Sequence, residues 1–128
     1  MNEEQKEIGR TGEAIAASYL SKNGFDILDK NFLNSLGYRR GEIDIVARDP
    51  ANMDLVFVEV KTRKKSFYPT QPELAITRQK YQKLLRIIQS YLRKNNFHDQ
   101  NWRLDAVAIE IDMSSRKAKL KHLKYIYY

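Results

Sequence analysis

Asp44, Glu59 and Lys61 combine residue types and spacing that phosphodiester chemistry can use. Glu59 and Lys61 lie two apart in Leu55-Val56-Phe57-Val58-Glu59-Val60-Lys61-Thr62-Arg63. That apolar, β-branched run reads as a central strand covered on both faces, so a charged pair inside it needs a reason. Asp44 lies about fifteen residues earlier in Gly41-Glu42-Ile43-Asp44-Ile45-Val46-Ala47-Arg48, a second strand. Asp49-Pro50-Ala51-Asn52 supplies a turn between them. Side chains alternate along a strand, so Phe57, Glu59, Lys61 and Arg63 share one face and Val56, Val58 and Val60 the other. On the earlier strand Glu42 and Asp44 share a face, opposed by Ile43 and Ile45. In a hairpin turning near Ala51-Asn52, facing residue numbers sum to about 103, which sets Asp44 opposite Glu59 and Glu42 opposite Lys61.

Two facing carboxylates repel, more so when partly buried, and a divalent cation between them removes the penalty. Magnesium or manganese suits such ligands, and Lys61 can then orient a water or offset developing charge. The competing reading is structural: Glu59 and Lys61 as an ordinary ion pair on a solvated sheet face.

The rest of the chain must position these residues. Ile8, Gly12, Ile15 and Tyr19, widened by Ala16 and Leu20, recur at helical spacing and predict a helix from about Glu4 to Lys22, stopped at Asn23-Gly24. Phe25 to Phe32 reads as a strand, and Asn34 to Arg40 as a turn or loop. A long helix is expected from about Pro72 to Asn95, with Leu74, Tyr81, Leu84, Leu85, Ile88, Tyr91 and Leu92 as its apolar stripe. Strands at Trp102–Ile111 and Ala118–Tyr128 complete the order α-β-β-β-α-β-β. That order is an α/β fold, a mixed sheet flanked by helices, and residues 1–128 read as one domain.

Composition narrows the chemistry. The chain has no cysteine, which excludes a disulfide framework, a thiolate zinc site and a cysteine nucleophile. Its two histidines, His98 and His122, are far apart, so a metal here would be a hard cation on carboxylates. The charged N-terminus, Met1-Asn2-Glu3-Glu4-Gln5-Lys6-Glu7, is neither a signal peptide nor a membrane span, and a cytoplasmic location is expected. A formal charge of +7 is compatible with a polyanionic partner. Arg39, Arg40, Arg63, Lys64 and Lys65 cluster near the proposed ends of the site strands and suit phosphate contacts, with a solvated basic loop as the plainer alternative.

Taken together, the Gly41–Val46 and Val56–Arg63 segments resemble the YraN-type family of bacterial endonuclease-like proteins. The resemblance extends to Gly9-Arg10-Thr11-Gly12-Glu13, to Lys80 and to Arg103-Leu104-Asp105-Ala106-Val107, and so covers nearly the whole chain. That family is in turn similar to the archaeal Holliday-junction resolvases, a branch of the PD-(D/E)XK superfamily with a restriction-endonuclease-like core. The resemblance implies Asp44 and Glu59 as metal ligands for Mg2+ or Mn2+, Lys61 as the catalytic lysine, and Glu13 as a further acidic residue of the site. Glu13 lies on the helix face of Ala16, Ala17 and Leu20, compatible with inward projection or with an ordinary surface position. Lys80 joins the basic residues expected on nucleic acid. Ile43 stands where the resolvase-like branch usually has proline, a departure that leaves the acidic ligand in place. The expected function is a metal-dependent endonuclease acting on DNA, branched DNA included, with a homodimer held open. The alternatives are a non-cleaving nucleic-acid-binding module of the same fold and a domain whose charges are purely structural.

Overall fold

The computed structural model describes residues 2–33, 41–66 and 76–127. Helix α1 spans Glu3–Lys22 and opens with a capping box. Asn2 accepts from the Gln5 N–H, and the Gln5 side chain accepts from the Asn2 N–H. It stops where expected, at Asn23 and Gly24, the latter at φ +86°. Strands follow at Asp26–Leu33 (β1), Glu42–Arg48 (β2) and Leu55–Lys64 (β3), then helix α2 at Arg78–Lys94 and strands Trp102–Asp112 (β4) and Lys117–Leu123 (β5).

The five strands form one mixed sheet in the order β1-β2-β3-β4-β5. All neighbours are antiparallel except β3 and β4, which α2 connects in parallel. β3 is therefore the middle strand, as its apolar run predicts, and is covered on both faces. On one face Val56, Val58, Val107, Ile109 and Ile45 pack against Ala16, Ala17 and Leu20 of α1. On the other Leu55, Phe57, Leu104 and Ala106 meet Leu84, Ile87, Ile88 and Tyr91 of α2. Tyr91 anchors this second core through edge-to-face contacts with Phe32 and Phe57, centroids 4.9 and 5.5 Å away. The element order and the α/β class are as expected, consistent with a restriction-endonuclease-like core. Among the described residues no helix is long and apolar enough to cross a membrane.

Four expectations are corrected. The second helix begins at Arg78 because Thr77 takes an extended backbone and caps it, its hydroxyl accepting from the Lys80 N–H. Positions 72–75, including Leu74, lie outside the described residues. The last strand ends at Leu123, not Tyr128. Tyr125 adopts φ +58°, and its N–H and that of Ile126 bond Asp105 and Leu104 on β4. The hairpin register sums to 103 as predicted, from Arg48↔Leu55 to Ile45↔Val58, but the ladder stops there, short of Asp44 and Glu59. Finally, Ile43 and Ile45 do not share a face: Ile43 joins the α2-side core and Ile45 the α1-side core. The alternation of β2 is interrupted at Asp44, where β2 and β3 part.

On the α1 side the sheet also buries a polar network. Asp105, fully buried, accepts from Arg103 at 3.0 Å and lies 2.8 Å from His122 Nε2. Arg103 also reaches Asp49 at 2.8 Å, and the Tyr19 hydroxyl lies 2.9 Å from His122 Nδ1. Every charge has an opposite partner, so burial is tolerated. His122 thus serves packing between α1, β4 and β5.

Candidate functional site

At the parting of β2 and β3 the Asp44 carboxylate takes the place of a ladder bond: its Oδ2 accepts from the Val60 N–H at 2.8 Å. The adjoining wall comes from α1. Gly12 lies so close to β3 that a Cβ there would sit 1.8 Å from Thr62 Oγ1 and 2.7 Å from Thr62 Cβ. Only glycine permits this approach, and it brings the next residue, Glu13, over the end of β2. Carboxylate oxygens of Glu13, Glu42 and Asp44 all lie within 4.8 Å of one another. This group could hold a metal ion.

Burial and mutual repulsion govern its protonation. Asp44 is 8 % exposed, and its pKa is pushed up to about 8. Loss of hydration is the main cause, followed by the Glu59 charge; Glu13 and Glu42 add to it, and the Val60 N–H opposes it. Glu13 is also raised, by burial and then by Glu42, while its hydrogen bond with Asp44 pulls the other way. Two carboxyls can share such a bond only if one carries a proton. Without a cation, the cluster retains a proton near neutrality.

Glu59, 6 % exposed, borders the group from the α2 face of β3. Burial raises its pKa, against the charges of Lys80 and Lys61. Lys80 Nζ stands 3.4 Å from Glu59 Oε1. Lys61, one pleat further on, is exposed.

The structure thus brings Asp44, Glu59, Lys61 and Glu13 to one place and adds Glu42, which the sequence reading set opposite Lys61 without a role. The Glu42-x-Asp44 spacing was the available signal. The metal pair expected from sequence was Asp44 with Glu59; the tight carboxylate group joins Asp44 to Glu13 and Glu42, while the Glu59 charge acts on Asp44 most strongly. The basic residues separate. Arg63 pairs with Glu110 at 2.7 Å and Lys65 with Asp112 at 3.7 Å. Lys64 turns to the α1 face and pairs with Glu4. Lys80 belongs to the site through Glu59. Arg39 and Arg40 lie outside the described residues.

Known proteins match along most of the chain. The model of the uncharacterised protein family UPF0102 matches residues 12–109. A member from Pelobacter propionicus is 38 % identical over 94 % of this chain and 81 % of its own length. One from Alkaliphilus oremlandii is 38 % identical over 93 % and 96 %, and one from Clostridium botulinum 37 % identical over 93 % and 92 %. The match spans Glu13, Glu42, Asp44, Glu59, Lys61 and Lys80, and on that footing the chain belongs to UPF0102, the YraN-type, PD-(D/E)XK-like family.

Proposed function

We propose that this chain, acting as one domain, is a divalent-cation-dependent endonuclease whose substrate is DNA, branched forms included. The observation that supports this most is the carboxylate group where β2 and β3 part, with Glu59 and Lys61 beside it. Its donors fit magnesium or manganese. They are hard oxygens only, and buried Asp44 must otherwise keep a proton that a cation would displace. Asp44, Glu13 and Glu42 would hold the ion, with Glu59 at its border. When bound, such an ion polarises a phosphodiester and makes water a better nucleophile at neutral pH.

The chain's own residues have defined tasks. The Val60 N–H fixes the Asp44 carboxylate. Lys80 opposes the upward pull of burial on the Glu59 carboxyl. Lys61, exposed one pleat beyond Glu59, can donate to a phosphate oxygen and offset charge as it develops. The test is cleavage of linear, flap and four-way DNA by wild type and Lys61→Ala, with magnesium or manganese and with chelator. Cleavage that needs the ion and is lost in Lys61→Ala is expected; no cleavage by wild type with either ion would refute the enzyme reading.

One observation favours the second reading, a binding module that does not cleave. The Lys80 ammonium already stands beside Glu59 and supplies some of the positive charge a metal would bring. Salt-sensitive DNA binding, indifferent to metal and without cleavage, is its signature.

A further inference from the structure

The geometry points to a duplex-binding track on the sheet face beyond α2, ending at Lys61 and built on the edge strand β5. This rests on the nucleic-acid reading above and names the surface that would carry it. Register defines the face. Phe57 and Leu104 lie under α2, and the same face continues along β3 through Lys61 and Arg63, then to Lys65 just past its end, and along β4 through Ala108, Glu110 and Asp112. Across β4, Lys121 faces Ala108, Lys119 faces Glu110 and Lys117 faces Asp112. Three rows therefore cross the sheet: Lys61–Ala108–Lys121, Arg63–Glu110–Lys119 and Lys65–Asp112–Lys117.

Charge decides what fits. Arg63 and Lys65 are answered by Glu110 and Asp112 on β4. Lys117, Lys119 and Lys121 are exposed and make no salt bridge among the described residues. The first row has no acid, and its centre is the small Ala108, between two lysines one pleat along from Glu59. Side chains on one face of a strand recur about every 6.8 Å, so the three β5 lysines span roughly 14 Å. Over that length one strand of a DNA duplex presents about four phosphates. The rows contain no aromatic ring, the platform that single strands need for stacking, so the track suits a duplex backbone. A phosphodiester laid along it reaches Lys61 and the carboxylates at the open end of β2.

The test compares wild type with Lys117→Gln/Lys119→Gln/Lys121→Gln and with Lys22→Gln/Lys30→Gln/Arg93→Gln, which makes the same charge change on other surfaces. Duplex DNA affinity is measured across salt. The β5 variant is expected to bind about tenfold or more weakly at low salt, with a log–log salt slope shallower by about 2.7, or ~0.9 per phosphate contact. It should keep the wild-type melting temperature and its rise with magnesium; arginine at the three positions should restore binding. Independently, bound duplex should protect the three lysines of wild type from acetylation. Equal losses in both variants, or unprotected β5 lysines on a protein that does bind duplex, would overturn the track and leave the nucleic-acid reading standing. Absence of duplex binding by wild type at low salt would overturn both.

Discussion

Asp44 offers the most direct test of the site, because its own chemistry sets a pH dependence. Its carboxyl titrates at about 8 in the folded protein against an ordinary 3.8, so between those values the native state binds more protons than the unfolded chain. Stability therefore falls as pH rises from about 4 to about 8 and levels off above, when both states are ionised. Each pKa unit corresponds to ~1.36 kcal/mol, so this one group costs the metal-free fold up to roughly 6 kcal/mol once it is ionised, and up to about 4 kcal/mol already at pH 7. Asp44→Asn removes the charge and keeps an oxygen that can accept from the Val60 N–H. At pH 5 the variant should exceed wild type by only about 1–2 kcal/mol; by pH 8 the gap should widen to several kcal/mol, at about 3–5 °C in Tm for each kcal/mol. Millimolar magnesium at pH 8 should raise the wild-type melting temperature, with a gain of about 2.7 kcal/mol at 100 times the Kd, and should leave the variant unchanged. The assay is thermal unfolding followed by circular dichroism from pH 5 to pH 8, with the ion and with chelator. Parallel pH profiles for the two proteins would refute the reasoning, because Asp44 would then not be the group that repels its neighbours.

Gly12→Ala should destabilise the fold by about 1–3 kcal/mol in urea unfolding, since the new methyl collides with Thr62 and the gain in helix propensity, at most ~1 kcal/mol, does not offset it. The same variant should blunt the magnesium-induced rise in Tm by moving Glu13 away from Asp44. Lys80→Met should cost metal-free protein about 1 kcal/mol at pH 8, a modest figure because the lysine is 40 % exposed, and magnesium should restore it by replacing the lost positive charge. Asp105→Asn should cost about 1–3 kcal/mol, since buried Arg103 loses one of its carboxylate partners and keeps Asp49. Asp105 itself is held below the ordinary carboxylate range, against its burial, by His122, Arg103 and the Tyr125 N–H. Its contribution is present above about pH 4 and lost as pH falls, so the acid limb of wild-type melting should be steeper than that of the variant.

Much of this molecule could be read without coordinates because its signals are local. The β-branched run at 55–64 marks the middle strand, the 3.6-residue period of 4–22 marks α1, and Asn23-Gly24 ends that helix as its backbone chemistry requires. The hairpin register followed from counting across Pro50–Asn52, and Asp44, Glu59 and Lys61 stood out because charge inside an apolar strand is costly without a purpose. What the sequence could not decide was where regularity breaks. Counting assumes an unbroken ladder, but β2 and β3 part at Asp44 and its carboxylate takes over the Val60 N–H, which adds Glu13 and Glu42 to Glu59 as its acidic neighbours. That exchange depends on α1 docking through Gly12 onto Thr62, a contact fifty residues long in sequence that no local period records. The fate of each basic residue was likewise a matter of faces and neighbours. Arg63, Lys64 and Lys65 are one tract in the chain, yet strand alternation sends Lys64 to Glu4 on α1 and the other two to acids on β4, while the exposed lysines of β5 come to stand beside Lys61 only when the sheet is assembled. Local chemistry determined which elements form and which residues are unusual; long-range packing determined which of them meet.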